Sequence, residues 1–167
     1  VDLGYLEQIV REVVDTVERA REDIYFLADQ ARREYTRLAG ELMELKQEVD
    51  EVIRMVEECE KEEKKSRRRL MEVSRDFDKY TEEDIKEAYD NARNMQVQLS
   101  ILRERERNLN HRRDMLERNL RHIEQLAQRA ESMVERVNVV VKMLKGNAEI
   151  ISDQIGDALK KQQIGIW

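Results

Sequence analysis

The sequence predicts an all-α fold, a long antiparallel two-helix coiled-coil hairpin followed by a C-terminal amphipathic helix. Three observations carry that prediction. There is no proline, and 41% of residues are charged against 5% aromatic, the composition of long helices rather than of a compact sheet protein. The five glycines stand at 4, 40, 146, 156 and 165, so residues 41–145 contain no helix breaker of either kind. Above all, two apolar stripes repeat every seven residues, the period that keeps one helix face on a partner helix.

The first arm, near residues 2–73, carries Leu3, Val10, Val17, Ile24, Ala31, Leu38, Leu45, Val52 and Cys59 in steps of seven. Its companion row is Leu6, Val13, Ala20 and Leu27, then, after a one-residue shift, Tyr35, Leu42, Val49 and Val56. The second arm, near 82–145, carries a stripe from Ala88 through Leu109 and Leu116 to Leu144, which continues to Ile151 and Ala158. Its companion row holds Ile85, Ala92 and Leu99, then Leu120, Ala127, Val134 and Val141, with Glu106 and Arg113 between the two runs. Folding the chain at Phe77 sets position i opposite 154 − i, so that Cys59 meets Met95 and Arg113 falls across from Glu41. Glu41, Glu106 and Arg113 thereby form a candidate polar layer.

Residues 74–81 read as the turn, made without glycine. Ser74, Asp76 and Asp78 offer hydrogen bonds that compete with helix. Thr81 with Asp84 three residues on is a capping signal for the second helix, and the acids at 82–84 suit the positive end of its dipole. Phe77 and Tyr80 are expected to fold back on the helix ends, or else to form a partner-binding tip. A second break is expected at Gly146, dividing the chain into a hairpin domain, 1–146, and a linker helix, 147–167; the alternative is a continuous helix, since the stripe goes on to Ile151 and Ala158.

The net charge of −6 argues against a nucleic-acid partner, because phosphate contact needs a basic surface. No apolar run reaches the roughly 18–20 residues of a membrane span, and no secretory signal opens the chain. The single Cys59 excludes an internal disulfide and fits a reducing compartment, so a cytoplasmic location is expected. A two-helix rod offers no concave pocket for catalysis. His111 and His122 are eleven residues apart on largely different faces. No spacing of His, Cys, Asp or Glu suggests a metal site, and neither a cofactor nor a catalytic residue is expected. Ser74 is the candidate regulatory residue. It lies beside Arg67, Arg68, Arg69 and Arg75, where added phosphate would bring about −1.5 to −2 charge to a basic cluster. The plainer reading is that Ser74 only ends a helix.

The segments "RLMEVSRDFDKYTEEDIKEAYDNA" (69–92), "VQLSILRERERNLNHRRDMLERNL" (97–120) and "ESMVERVNVVVKML" (131–144) resemble the N-terminal sensor region of DegS-type sensor histidine kinases. Val73, Ser74 and Arg75 with Phe77, and the helix start Glu82, Glu83, Asp84 and Ile85, carry most of the specificity. The resemblance implies the signal-input and dimerisation region of a cytoplasmic two-component sensor. Such a kinase is a homodimer that phosphorylates itself on a histidine in a following helical segment. It then passes the phosphoryl group to a DegU-type response regulator that controls degradative enzymes and motility. The chain starts at Val1 and its last pattern is cut off at Trp167, so a fragment is expected, without phospho-acceptor or ATP-binding motifs and not itself an enzyme. On this reading 147–167 is a signalling helix toward the kinase core, and the polar layer is a point where coiled-coil packing can switch. The competing class is a structural coiled-coil spacer or adaptor with no enzyme attached.

Overall fold

A computed structural model describes residues 2–163. Two helices and one turn account for them. Helix α1 spans Leu3–Arg75, a 3₁₀ turn spans Phe77–Lys79, and α2 spans Glu82–Gln163. The helices pack against each other as an antiparallel hairpin, and there is no strand among the described residues. The heptad stripes explain both lengths, since burial of a continuous apolar face, rather than helix propensity, is what holds so long a helix together.

The break expected at Gly146 does not occur: α2 runs unbroken from Glu82 to Gln163. A side chain at Gly146 would meet no atom within 4 Å, and nothing in its backbone requires glycine. The buried Ile155 keeps the seam going beyond it, so tertiary packing overrides the breaker signal. Residues 164–167 of the expected linker segment lie outside the described residues.

The chain forms two compact units. One combines residues 37–120 and the turn; the other combines 1–36 with 121–167. In the unit of residues 37–120, a core of Leu45, Val49, Val52, Val56, Cys59, Leu99 and Leu109 is joined by the half-buried Ile53, Leu102 and Leu116. The Cys59 thiol lies 3.9 Å from the Met95 carbonyl, the pair expected from the sequence. Lys46 Nζ is 3.8 Å from Glu117, and Arg103 donates to Glu60 at 3.1 Å. The companion row Leu42, Val49 and Val56 is buried as expected.

In the other unit, Glu18 pairs with Lys145, Tyr25 with Asn138 at 2.8 and 3.0 Å, and Arg32 with Glu131 at 2.7 Å. Each step of seven along α1 is matched by a step of seven back along α2. A fold at Phe77 would have set Arg32 across from His122. The difference is physical: in an antiparallel pair a stripe side chain inserts between two stripe residues of the other helix rather than meeting one head-on. The companion row of this unit also differs from expectation. Leu6, Val13 and Leu27 are 40%, 45% and 44% exposed, whereas Ala28 is buried and Val14 is half-buried. The inward row is Glu7, Val14, Arg21 and Ala28, one residue later, in step with Tyr35 and Leu42.

Candidate functional site

The turn is held by a short hydrogen-bond series. Asp76 N donates to Glu72 O at 3.0 Å, closing α1. Lys79 N donates to Asp76 O at 2.9 Å, and Tyr80 N to Phe77 O at 3.3 Å. Helix α2 opens with a reciprocal capping box. Asp84 N donates to Thr81 Oγ1 at 3.1 Å, and Thr81 N donates back to Asp84 Oδ2 at 3.2 Å. The acids of its first turn, Glu82, Glu83 and Asp84, meet the positive end of the helix dipole.

The two aromatic residues of the turn part company. Tyr80 folds back on α1: the Arg69 guanidinium sits 4.8 Å from its ring centre and donates to its hydroxyl at 3.4 Å. Phe77 does not fold back and is 62% exposed, because the 3₁₀ turn buries none of its residues. Val73, fully buried, anchors the end of α1 in its place. Ser74 and Arg75 are exposed in the last turn of α1, and the Ser74 hydroxyl makes no hydrogen bond among the described residues. The neighbouring arginines are partly committed elsewhere. Arg67 bonds Glu63 at 2.9 Å, and Arg69 engages Tyr80.

The expected polar layer is not brought together. Glu41 is exposed and bonds Arg37 within its own helix at 2.6 Å. Arg113 is half-buried and lies 3.3 Å from Asp114. The two stand in different rows: Arg113 occupies the inner row of α2 and shares a groove with Lys46, Val49, Asp50 and Glu117, whereas Glu41 stands on an outer row. Glu106 is half-buried in the same inner row as Arg113, one heptad before it.

Glu63, the one buried charged residue among those described, was missed by the sequence reading. It follows Val56 by seven and so continues the inner row of α1, and counting one step further would have found it. Its carboxylate reaches the edge of the seam to bond Arg67, four residues on, which lowers the cost of placing a charge there.

Among the described residues no group of three His, Cys, Asp or Glu side chains could hold a metal ion, and no helix is long and apolar enough to cross a membrane. The features that stand out among the described residues are an exposed turn, half-buried charges at Glu106 and Arg113 in the seam and an unbroken second helix.

The model of the family "Sensor protein DegS" matches residues 7–165. The signal transduction histidine-protein kinase/phosphatase DegS of Bacillus subtilis (strain 168) is 34% identical over 166 residues, covering 99% of this chain and 43% of the relative. The protein of the same name from Brevibacillus brevis is 35% identical over 161 residues, covering 96% of this chain and 42% of the relative. The chain thus spans less than half the length of these relatives. No solved structure matches it. With a family match along nearly its whole length and two heptad-striped helices joined by a capped turn, the chain belongs to the DegS family of two-component sensor proteins.

Proposed function

We propose that this chain is the signal-input and dimerisation region of a cytoplasmic DegS-type histidine kinase, and that it controls autophosphorylation and phosphotransfer to a DegU-type response regulator. The observation that carries the reading is the continuity of α2. One helix leads from the capped turn at Thr81, along the seam and through Gly146 to Gln163, within a family match that reaches residue 165. A rotation or shift of α2 against α1 therefore reaches residues 147–163 without a loop to absorb it.

The phospho-accepting histidine and the ATP site would come from the part of the relatives' length that this chain does not span. The chain's own contribution is geometric. The half-buried Glu106 and Arg113 weaken the packing of one stretch of α2, which makes that stretch the place where two packings of the seam come closest in energy. Ser74, Arg75, Phe77 and Tyr80 form an accessible turn through which a modification or partner bears on the ends of both helices. Phosphate on Ser74 would act by charge on Arg75 and Arg68.

The test uses the whole product of the encoding gene, incubated with radiolabelled ATP and a purified DegU-type regulator. The expected result is labelled kinase, label passed to the regulator, no label on the 167-residue chain alone, and a changed transfer rate in Arg113→Leu or Ser74→Asp variants. A whole product that takes no phosphate from ATP would overturn the reading in favour of a structural coiled-coil spacer.

A further inference from the structure

The two flanks of the seam in the unit of residues 1–36 and 121–167 differ in kind. One flank is polar and paired: Glu18, Tyr25 and Arg32 on α1 meet Lys145, Asn138 and Glu131 on α2. The opposite flank is apolar and open. On α1 it carries Leu6, Val13 and Leu27; on α2 it carries Leu126, Met133 and Val140, all 40–51% exposed. Each set runs in whole multiples of seven, so each is a stripe rather than a scatter. Ile9 extends the α1 stripe, and Met143 and Ile150 extend that of α2, all three exposed.

A two-stranded coiled coil needs only two apolar positions in seven. A third, beside the seam and on the same side of both helices, is the pattern of a helix that packs against two neighbours, as in a four-helix bundle. In residues 37–120 the equivalent row is mostly charged, with Glu41, Glu48 and Glu62 on α1 and Arg105 and Arg112 on α2. The third apolar row is thus a local feature and not a by-product of composition.

We infer that this open flank is the interface with a second copy of the chain, the two hairpins lying side by side as a four-helix bundle with their turns at the same end. Charge selects that occupant and that orientation. The row outside the α1 stripe carries Asp23 with Ile9 and Asp2, and the row outside the α2 stripe carries Arg129 and Arg136 before Met143, Ile150 and, at its far end, Asp157. Asp23, Arg129 and Arg136 make no ion pair among the described residues. A two-fold axis along the bundle sets α1 of one copy against α2 of the other, so Asp23 of each copy faces the Arg129 and Arg136 stretch of the other. The inverted packing sets like rows together. The area is also of the right order. Nine half-exposed apolar side chains, at about 60 Å² each, come to roughly 1,100 Å² over two copies, close to the ~1,200 Å² lower bound for a stable interface before flanking groups are counted.

The inference does not depend on any kinase activity, so the test uses the 167-residue chain itself. Sedimentation equilibrium at micromolar concentration should find a dimer. Val13→Glu with Met133→Glu, both at positions exposed in the single hairpin, should weaken dimerisation by roughly tenfold or more while far-UV circular dichroism keeps its helical signal. Asp23→Arg should also weaken the dimer, and adding Arg136→Asp should restore it. A monomeric wild-type chain, or a dimer unchanged by the Val13 and Met133 substitutions, would overturn the interface. Failure of the charge swap to restore association would overturn the arrangement.

Discussion

Replacing Arg113 by leucine tests whether the inner row of α2 is weakened where the sequence places a charge. The Arg113 side chain is 32% exposed, so a leucine there would bury about two thirds of itself. Full burial of leucine is worth ~1.5–3 kcal/mol, which gives ~1–2 kcal/mol at this site. Against this stand the ion pair with the adjacent Asp114, exposed enough to be worth ~0.5 kcal/mol at most, and the packing of the arginine stem on the seam. The net is a gain of about 0.5–1.5 kcal/mol, or ~1–6 °C in Tm for a chain of this size. Urea unfolding followed by circular dichroism reads the gain as a higher midpoint with an unchanged slope. Arg113→Ala serves as the control: it removes the charge and the stem without filling the row, and its midpoint should fall. A lower midpoint for the leucine variant would refute the reasoning, because Arg113 would then be contributing to the seam rather than weakening it.

Three further outcomes are expected. Thr81→Ala removes the side-chain half of the capping box, including the 3.1 Å bond to Asp84 N, and should cost about 1 kcal/mol, read by calorimetry as a lower Tm. Gly146→Ala places a methyl group in open space within a regular helix and should raise stability by ~0.8–1 kcal/mol in the same measurement; a loss would show that the position needs glycine after all. The hydrogen bond from Lys145 holds the Glu18 carboxyl below its ordinary value of 4.5, partly offset by desolvation, with the charges of Lys145 and Arg21 adding to the lowering. The folded form therefore gains from the ionised carboxylate above that value and loses the gain as pH falls through the depressed pKa. In Glu18→Gln the small Tm deficit at neutral pH should vanish on acidification, as measured by thermal melts across pH 3 to 7.

The fold was legible because its main signals are periodic and redundant. The Ala88 to Leu144 stripe spans eight full heptads, and a misreading at one step is corrected by the next. The capping box was legible because Thr81 and Asp84 satisfy each other locally, with no help from distant residues. The register was less legible. Stripe-to-stripe matching finds the right helices and the right direction, but an antiparallel seam interleaves its rows, and that offset is not written in either stripe alone. The Glu41–Arg113 pairing failed for a further reason: Glu41 stands on an outer row of α1 and bonds Arg37, whereas Arg113 stands in the inner row of α2. Phe77 was expected to pack because it is large and apolar, yet the turn closes through backbone hydrogen bonds with no surface free to cover it. Gly146 misled in the opposite sense, since a single glycine costs a helix only ~1 kcal/mol and the buried Ile155 beyond it repays more.

The failed reading of Leu6, Val13 and Leu27 as core has a different origin. The rule that apolar residues face a neighbouring helix put them in the seam, but they lie on the flank of α1 that α2 does not cover. What the seam buries in this unit is mostly small: Ala28, Ala31, Ala127 and Ala130 are 9%, 6%, 0% and 1% exposed, and Val141 and Ile155 are the larger buried side chains. Alanines let the two helices approach closely yet remove little apolar surface from water. The directional work falls to the polar flank, where the Tyr25–Asn138 and Arg32–Glu131 bonds fix the register and Arg32 also lies 5.4 Å from the Tyr35 ring centre. Such a seam specifies its alignment better than it stabilises it, because exposed ion pairs and hydrogen bonds each yield little net free energy. In residues 37–120 the core of valines and leucines supplies both. The apolar area missing from the alanine seam is present on the chain, displaced onto the open flank, and only a second set of helices removes it from water. In the proposed dimer, packing of α1 on α2 in this unit would be coupled to association of the two copies, and anything that shifts one would shift the other by the same free energy.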